Sequence, residues 1–134
     1  MPRPRLLTAA PAHLGRVAFA VLAGPIAWAI HFMGSYALVA LDCTTGWGGA
    51  RLTIAVGTLL LAAVSLGAAA VGYRGWRERS AEQPWDAALA EPRGWVPFAM
   101  TSGGVLGLLS ALTIILQGLS AVLVPVCSES GVIG

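Results

Sequence analysis

Three unbroken apolar stretches limit what this chain can fold into: Val17 to Leu41, Leu52 to Gly72 and Val96 to Val126. None of them contains Asp, Glu, Lys or Arg. Each supplies the roughly 20 residues a helix needs to cross about 30 Å of hydrocarbon. A charge at the bilayer centre costs at least about 2.5 kcal/mol, so charge-free runs of this length predict spans. The expected fold is an all-α integral membrane protein with three transmembrane helices. Its residues are 57% hydrophobic and 10% charged, whereas soluble domains carry about 25% charged residues. Three spans and their connections use nearly all of the 134 residues. Residues 1–134 therefore read as a single membrane domain with no soluble domain attached.

Basic residues lie on one side of each stretch. Arg3, Arg5 and Arg16 precede the first, and Arg74, Arg77, Arg79 and Arg93 fall between the second and third. Only Arg51 stands between the first and second, and none follows the third. Connections rich in Arg stay on the cytoplasmic side, which predicts a cytoplasmic N-terminus and a periplasmic C-terminus. The expected location is a bacterial inner membrane, crossed several times. A signal-peptide core spans only about 7–15 apolar residues. The first stretch is longer and carries Trp28 and His31 in its middle, so it is expected to remain as a span. Trp47, Trp76 and Trp95 sit near the stretch ends, where aromatic side chains anchor helices at headgroups. Between the second and third spans, Ser80 as a helix cap before Pro84 and Trp85 predicts a short interfacial helix. Trp85, Ala88 and Leu89 would lie on the membrane surface. A net charge of +2 is too small and scattered for a nucleic-acid partner. The expected partners are the lipid bilayer and either another membrane protein or further copies of this chain.

Cys43 and Cys127 are the only cysteines, and each follows the outer end of a span. The predicted topology places both on the oxidising side, where disulfides persist. A Cys43–Cys127 bridge joining the first and third spans is expected. Two free thiols in one layer are the alternative. A soft-metal site would need further sulfur or histidine ligands.

Polar and small residues form stripes within the spans. The first carries Gly24, Pro25, Trp28, His31, Ser35 and Tyr36, with Trp28, His31 and Ser35 sharing a face. Pro25 removes one helical hydrogen bond and predicts a kink. The third carries Gly103, Gly107, Ser110, Thr113 (or its neighbour Ile114), Gln117 and Ser120, close to a heptad seam. Gly103-x-x-x-Gly107 permits close helix approach. The second offers Thr58, Ser65 and Ala63-x-x-x-Gly67. His31 precedes Cys43 by twelve residues and Gln117 precedes Cys127 by ten. At 1.5 Å per residue both lie roughly 15–18 Å below the outer surface, which predicts a His31–Gln117 hydrogen bond. Two readings of His31 stand side by side. It either glues two helices as a polar contact, or handles protons or serves as an axial haem ligand. Haem normally takes two protein ligands, so the second use needs a homodimer or partner. The expectation is that no cofactor is bound.

No catalytic constellation is visible. The six carboxylates, Asp42, Glu78, Glu82, Asp86, Glu91 and Glu129, all lie outside the three stretches, so the chain is not expected to be an enzyme. Gly24-Pro25, Trp28, His31, Tyr36 and Cys43 resemble the first helix of small inner-membrane proteins of proteobacteria associated with haem-copper cytochrome c oxidases. The resemblance covers about twenty residues and attaches no function to any single one. It implies an accessory or assembly role beside a respiratory oxidase. A self-associating transporter or channel using the His31/Gln117 stripe is a second expectation, and a haem- or copper-handling protein a third.

The topology has a direct test. Alkaline phosphatase fused after Gly134 is expected to be active and green fluorescent protein fused there dark, with the reverse pattern for fusions at Arg93. A fluorescent fusion at Gly134 would invert the assignment.

Overall fold

A computed structural model describes residues 10–82, 95–124 and 127. They form three helices: α1 (Ala10–Thr45), α2 (Ala50–Glu82) and α3 (Trp95–Leu123). All three are long and apolar enough to cross a membrane, over Leu14–Thr45, Ala50–Glu78 and Trp95–Leu123. The 36 residues of α1 extend about 54 Å, well beyond the hydrocarbon thickness. Helices α1 and α2 outrun their apolar stretches because the backbone stays bonded to itself until a breaker intervenes.

That accounts for two departures from the sequence expectation. Helix α2 continues ten residues past Gly72 and carries Arg74, Arg77 and Arg79 with it, so Ser80 lies inside α2 rather than capping a new helix. Helix α3 stops at Leu123 rather than Val126. Pro125 follows two residues later, and a proline disfavours helical backbone in the residue before it. The expected interfacial helix with Trp85, Ala88 and Leu89, together with Arg3, Arg5 and Arg93, lies outside the described residues.

The α1–α2 connection is a built turn. Gly46 has φ of 67° and Gly48 of 74°, a region glycine enters without penalty. The Gly46 N–H donates to the Asp42 carbonyl at 2.8 Å, which closes the end of α1 in the single-bond left-handed cap. The Gly48 N–H donates to Asp42 Oδ1. Asp42 therefore holds both halves of the turn.

Each helix packs against the other two, and the interior is made of small residues. Ala20, Ala27, Ala62, Ala68, Ala111 and Ser65 are buried along the seams, with Ile54 and Ile114 as the largest fully buried side chains. Large apolar residues such as Leu52, Leu59 and Leu60 face outward. A water-soluble bundle would reverse that arrangement. In lipid the tails are as apolar as leucine, so helices associate through close contact rather than burial of large side chains.

Glycine sets the contact distance. A Cβ added at Gly107 would lie 2.8 Å from the Ala69 nitrogen and 2.9 Å from the Ser65 oxygen of α2, and one added at Gly24 of α1 would lie 2.9 Å from Gly107 Cα. Gly107 is thus the point at which all three backbones converge. Gly103 faces Ala20 of α1, and Gly72 faces Met100 and Gly104 of α3. The expected close approach at Gly103-x-x-x-Gly107 is present. The Ala63-x-x-x-Gly67 pair does not pack this way: Ala63 is exposed and nothing lies within 4 Å of a Cβ at Gly67. The inward face of α2 runs through Thr58, Ala62, Ser65, Ala68 and Gly72.

The parallel pair α1 and α3 keeps one register along its length. Residue numbers differ by 83 at Ala20–Gly103 and Gly24–Gly107, and by 84 at Cys43–Cys127. The two cysteines are paired across this seam with Cα atoms 5.7 Å apart.

Gly107→Ala is expected to cost about 1–3 kcal/mol because rigid backbone must move. Gly67→Ala should be neutral or stabilise by up to about 1 kcal/mol through helix propensity. Reversible unfolding of both variants in mixed micelles separates these outcomes.

Candidate functional site

Three polar side chains, His31, Thr58 and Ser65, are buried in the bundle among the described residues. His31 is 3% exposed, and its Nε2 lies 2.9 Å from Thr58 Oγ1. Thr58 Oγ1 donates to the Ile54 carbonyl at 2.7 Å. A hydroxyl has a single proton, so with that proton committed, Thr58 accepts from His31 Nε2–H. The result is a short chain, imidazole to hydroxyl to carbonyl, that crosses from α1 into the backbone of α2. Gly118 of α3 completes the layer, because a Cβ there would collide with the Thr58 hydroxyl.

The expected His31–Gln117 hydrogen bond is not formed. The α1–α3 register of 83 puts Ile114, not Gln117, level with His31. Gln117 falls on the row of Gly103 and Ser110, seven residues apart, and the first two of these meet α1 at Ala20 and Gly24. Its Oε1 is buried without a hydrogen-bond partner, as are His31 Nδ1 and Ser65 Oγ. Buried polar atoms left unpaired are uncommon and costly, so three within one small bundle mark this interior as the chemically distinctive region.

The remaining stripe residues divide between seam and surface. Gly24, Gly103 and Gly107 are buried, and Pro25, Ser35 and Ser110 are half-buried. Trp28, Tyr36, Thr113 and Ser120 are exposed. Ile114, not Thr113, occupies the seam, being fully buried with Ala27 and Ala62. One residue along a helix rotates a side chain by about 100°, which turns Thr113 outward. Thr113 Oγ1 donates to the Leu109 carbonyl at 2.8 Å and Ser120 Oγ to the Gln117 carbonyl at 2.8 Å, so each hydroxyl is satisfied by its own helix. Trp28 stacks on Phe32 with ring centroids 6.0 Å apart.

Thr58 as the partner of His31 was out of reach of residue counting. In the antiparallel α1–α2 pair, His31 meets Thr58 and Ala27 meets Ala62. Continuing that register sets Ala50 level with Val39, so the C-terminal end of α1 extends about 9 Å beyond the start of α2. The turn folds back over that step, and depth measured from the loop fails. Gly72 and Gly118 also escaped notice: Ala68-x-x-x-Gly72 follows Ala63-x-x-x-Gly67 on the same helix, and spacing alone does not say which pair faces inward, while Gly118 has no small residue four positions to either side.

Among the described residues no group of three His, Cys, Asp or Glu is placed to hold a metal ion. His31 offers a coordinating agent only Nδ1, since Nε2 is engaged with Thr58 and the ring is enclosed by protein. No known protein family, curated protein or solved structure matches the chain.

A double-mutant cycle between His31→Phe and Thr58→Val is expected to give a coupling of about 0.6 kcal/mol, with about 1.7 as the upper bound for interhelical hydrogen bonds in membranes. Zero coupling in micelle unfolding experiments would remove the bond. Gln117→Leu, which deletes an unpaired buried carbonyl, should leave stability unchanged or raise it.

Proposed function

We propose that this chain is a non-catalytic accessory subunit or assembly partner of a larger complex in the bacterial inner membrane, with a respiratory cytochrome oxidase as the complex indicated by the Gly24–Cys43 resemblance. In this reading the N-terminus and the connection between α2 and α3 are cytoplasmic. The C-terminus and the Cys43–Cys127 pair are periplasmic.

The observation that carries the reading is the outward direction of aromatic and polar groups on α1 and α3. Tyr36 is 75% exposed within the α1 span. A phenol hydroxyl seeks a hydrogen-bond partner, and lipid tails supply none, whereas a neighbouring protein helix does. Trp28 and Phe32 stack on the same exposed helix and offer a large rigid contact of the kind that anchors interfaces.

The transporter or channel reading draws less support. Backbone contact at Gly24, Gly72, Gly103 and Gly107 closes the seams of one bundle, and the Thr113 and Ser120 hydroxyls are exposed and bonded to their own helix. Cofactor handling through His31 also draws less, because the ring is enclosed and one nitrogen is taken.

Affinity purification from native membranes in mild detergent, read by mass spectrometry and a reduced-minus-oxidised spectrum, tests the proposal. Co-purifying oxidase subunits with a-type or b-type haem bands are expected, and Trp28→Leu combined with Tyr36→Leu should cut their recovery several-fold. A colourless homo-oligomer would sink the reading and put transport first.

A further inference from the structure

We propose that the groove between α2 and α3 is a binding site for an anionic phospholipid, with an acyl chain in the groove and the phosphate at its arginine-bearing end. This site lies on α2 and α3, and it stands or falls independently of the Trp28/Tyr36 face.

The groove has a volume of about 420 Å³ and is lined by Ala70, Gly72, Tyr73, Trp76, Gly104 and Leu108, among others. Its shape follows from the close helix crossing. Gly72 and Gly104 meet at backbone level, where a Cβ on Gly72 would lie 2.7 Å from the Gly104 nitrogen. With no side chains at the crossing and only alanine beside it on α2, a trough remains whose walls are Leu108 on one side and the Tyr73 and Trp76 rings on the other. The α2 lining runs from Ala69 to Trp76, about 10 Å of helix length. That suits part of a flexible chain better than a partner helix, which packs over several turns.

One end of the trough is polar. Tyr73 and Trp76 stand with ring centroids 5.8 Å apart and planes tilted by 41°, the amphipathic pair expected at headgroup level. Arg77 follows Tyr73 by one turn on the same side of α2, Arg74 adjoins it, and both are exposed. Glu78 is exposed as well, which leaves that end with a net positive charge among these three side chains. A guanidinium fork matches phosphate oxygens in geometry as well as charge. Basic pockets between transmembrane helices recognise anionic headgroups on the same principle. An apolar trough, an aromatic rim and a guanidinium occur in the order in which a phospholipid presents chain, glycerol region and phosphate.

The test is retention of lipid by the purified full-length chain in detergent, offered equal amounts of phosphatidylglycerol and phosphatidylcholine and read by native mass spectrometry. Preferential retention of phosphatidylglycerol is expected. Arg77→Gln should reduce that preference about five-fold. Ala70→Phe, at an exposed position on the rim, should abolish retention of both lipids while the Cys43–Cys127 pair resists thiol labelling as in the wild type. Equal retention of the two lipids, or phosphatidylglycerol retention that survives Ala70→Phe, would overturn the proposal. So would a photocrosslinker at Leu108 that captures a polypeptide in native membranes instead of lipid.

Discussion

Backbone contact at a few glycines is the constraint on which this bundle depends. Apolar burial cannot hold helices together in a solvent that is itself apolar, so association rests on dispersion between closely opposed surfaces and on interhelical polar contacts. Gly107 meets both neighbours, Gly103 meets Ala20, and Gly72 meets Gly104. Such contacts also fix register, since a glycine notch accepts the neighbouring helix at one axial position. The same 83–84 residue offset that seats Ala20 and Gly24 on α3 carries Cys43 to Cys127 at the far end.

The polar layer is a consequence of that register. Gly118 makes the space in which Thr58 stands, and the antiparallel α1–α2 pairing brings His31 to the Thr58 hydroxyl. The same packing encloses His31 Nδ1, Ser65 Oγ and Gln117 Oε1 without partners. In a low-dielectric interior a made hydrogen bond is strengthened and an unmade one is penalised. The layer therefore combines one anchoring contact with atoms whose needs the bundle leaves unmet. Outside the seam, the chain places Trp28, Phe32 and Tyr36 on one helix face and a trough between the other two helices. Close packing inside and distinctive surfaces outside have the same origin, because removing side chains from the crossings drives the bulky ones outward.

Much of the architecture was legible in the order of residues. The span count followed from charge-free length, and the close-packing face of the third helix followed from Gly103 and Gly107 recurring at helical spacing. The cysteine pair was legible because two parallel helices with a cysteine near each C-terminal end place both in one layer. The polar contact was not. His31 and Gln117 lie at similar counts from the cysteines, yet the α1–α3 register sets Ile114 level with His31, and the rise of α1 above the start of α2 is what brings Thr58 to the imidazole. Likewise Ala63-x-x-x-Gly67 faces outward, while Ala68-x-x-x-Gly72 on the same helix and Gly118 of α3 are the ones pressed against neighbours.

By itself the sequence determined three helices long and apolar enough to cross a membrane, since the cost of a charge or an unbonded backbone in hydrocarbon is a local property of each segment. It also determined which residues were small enough for close approach. Tertiary structure alone decided which of those residues met, which hydroxyl His31 reached, and where the surface opened into a groove. These depend on the axial offset and rotation between helices, quantities that arise only when three surfaces fit together and that no single helix encodes.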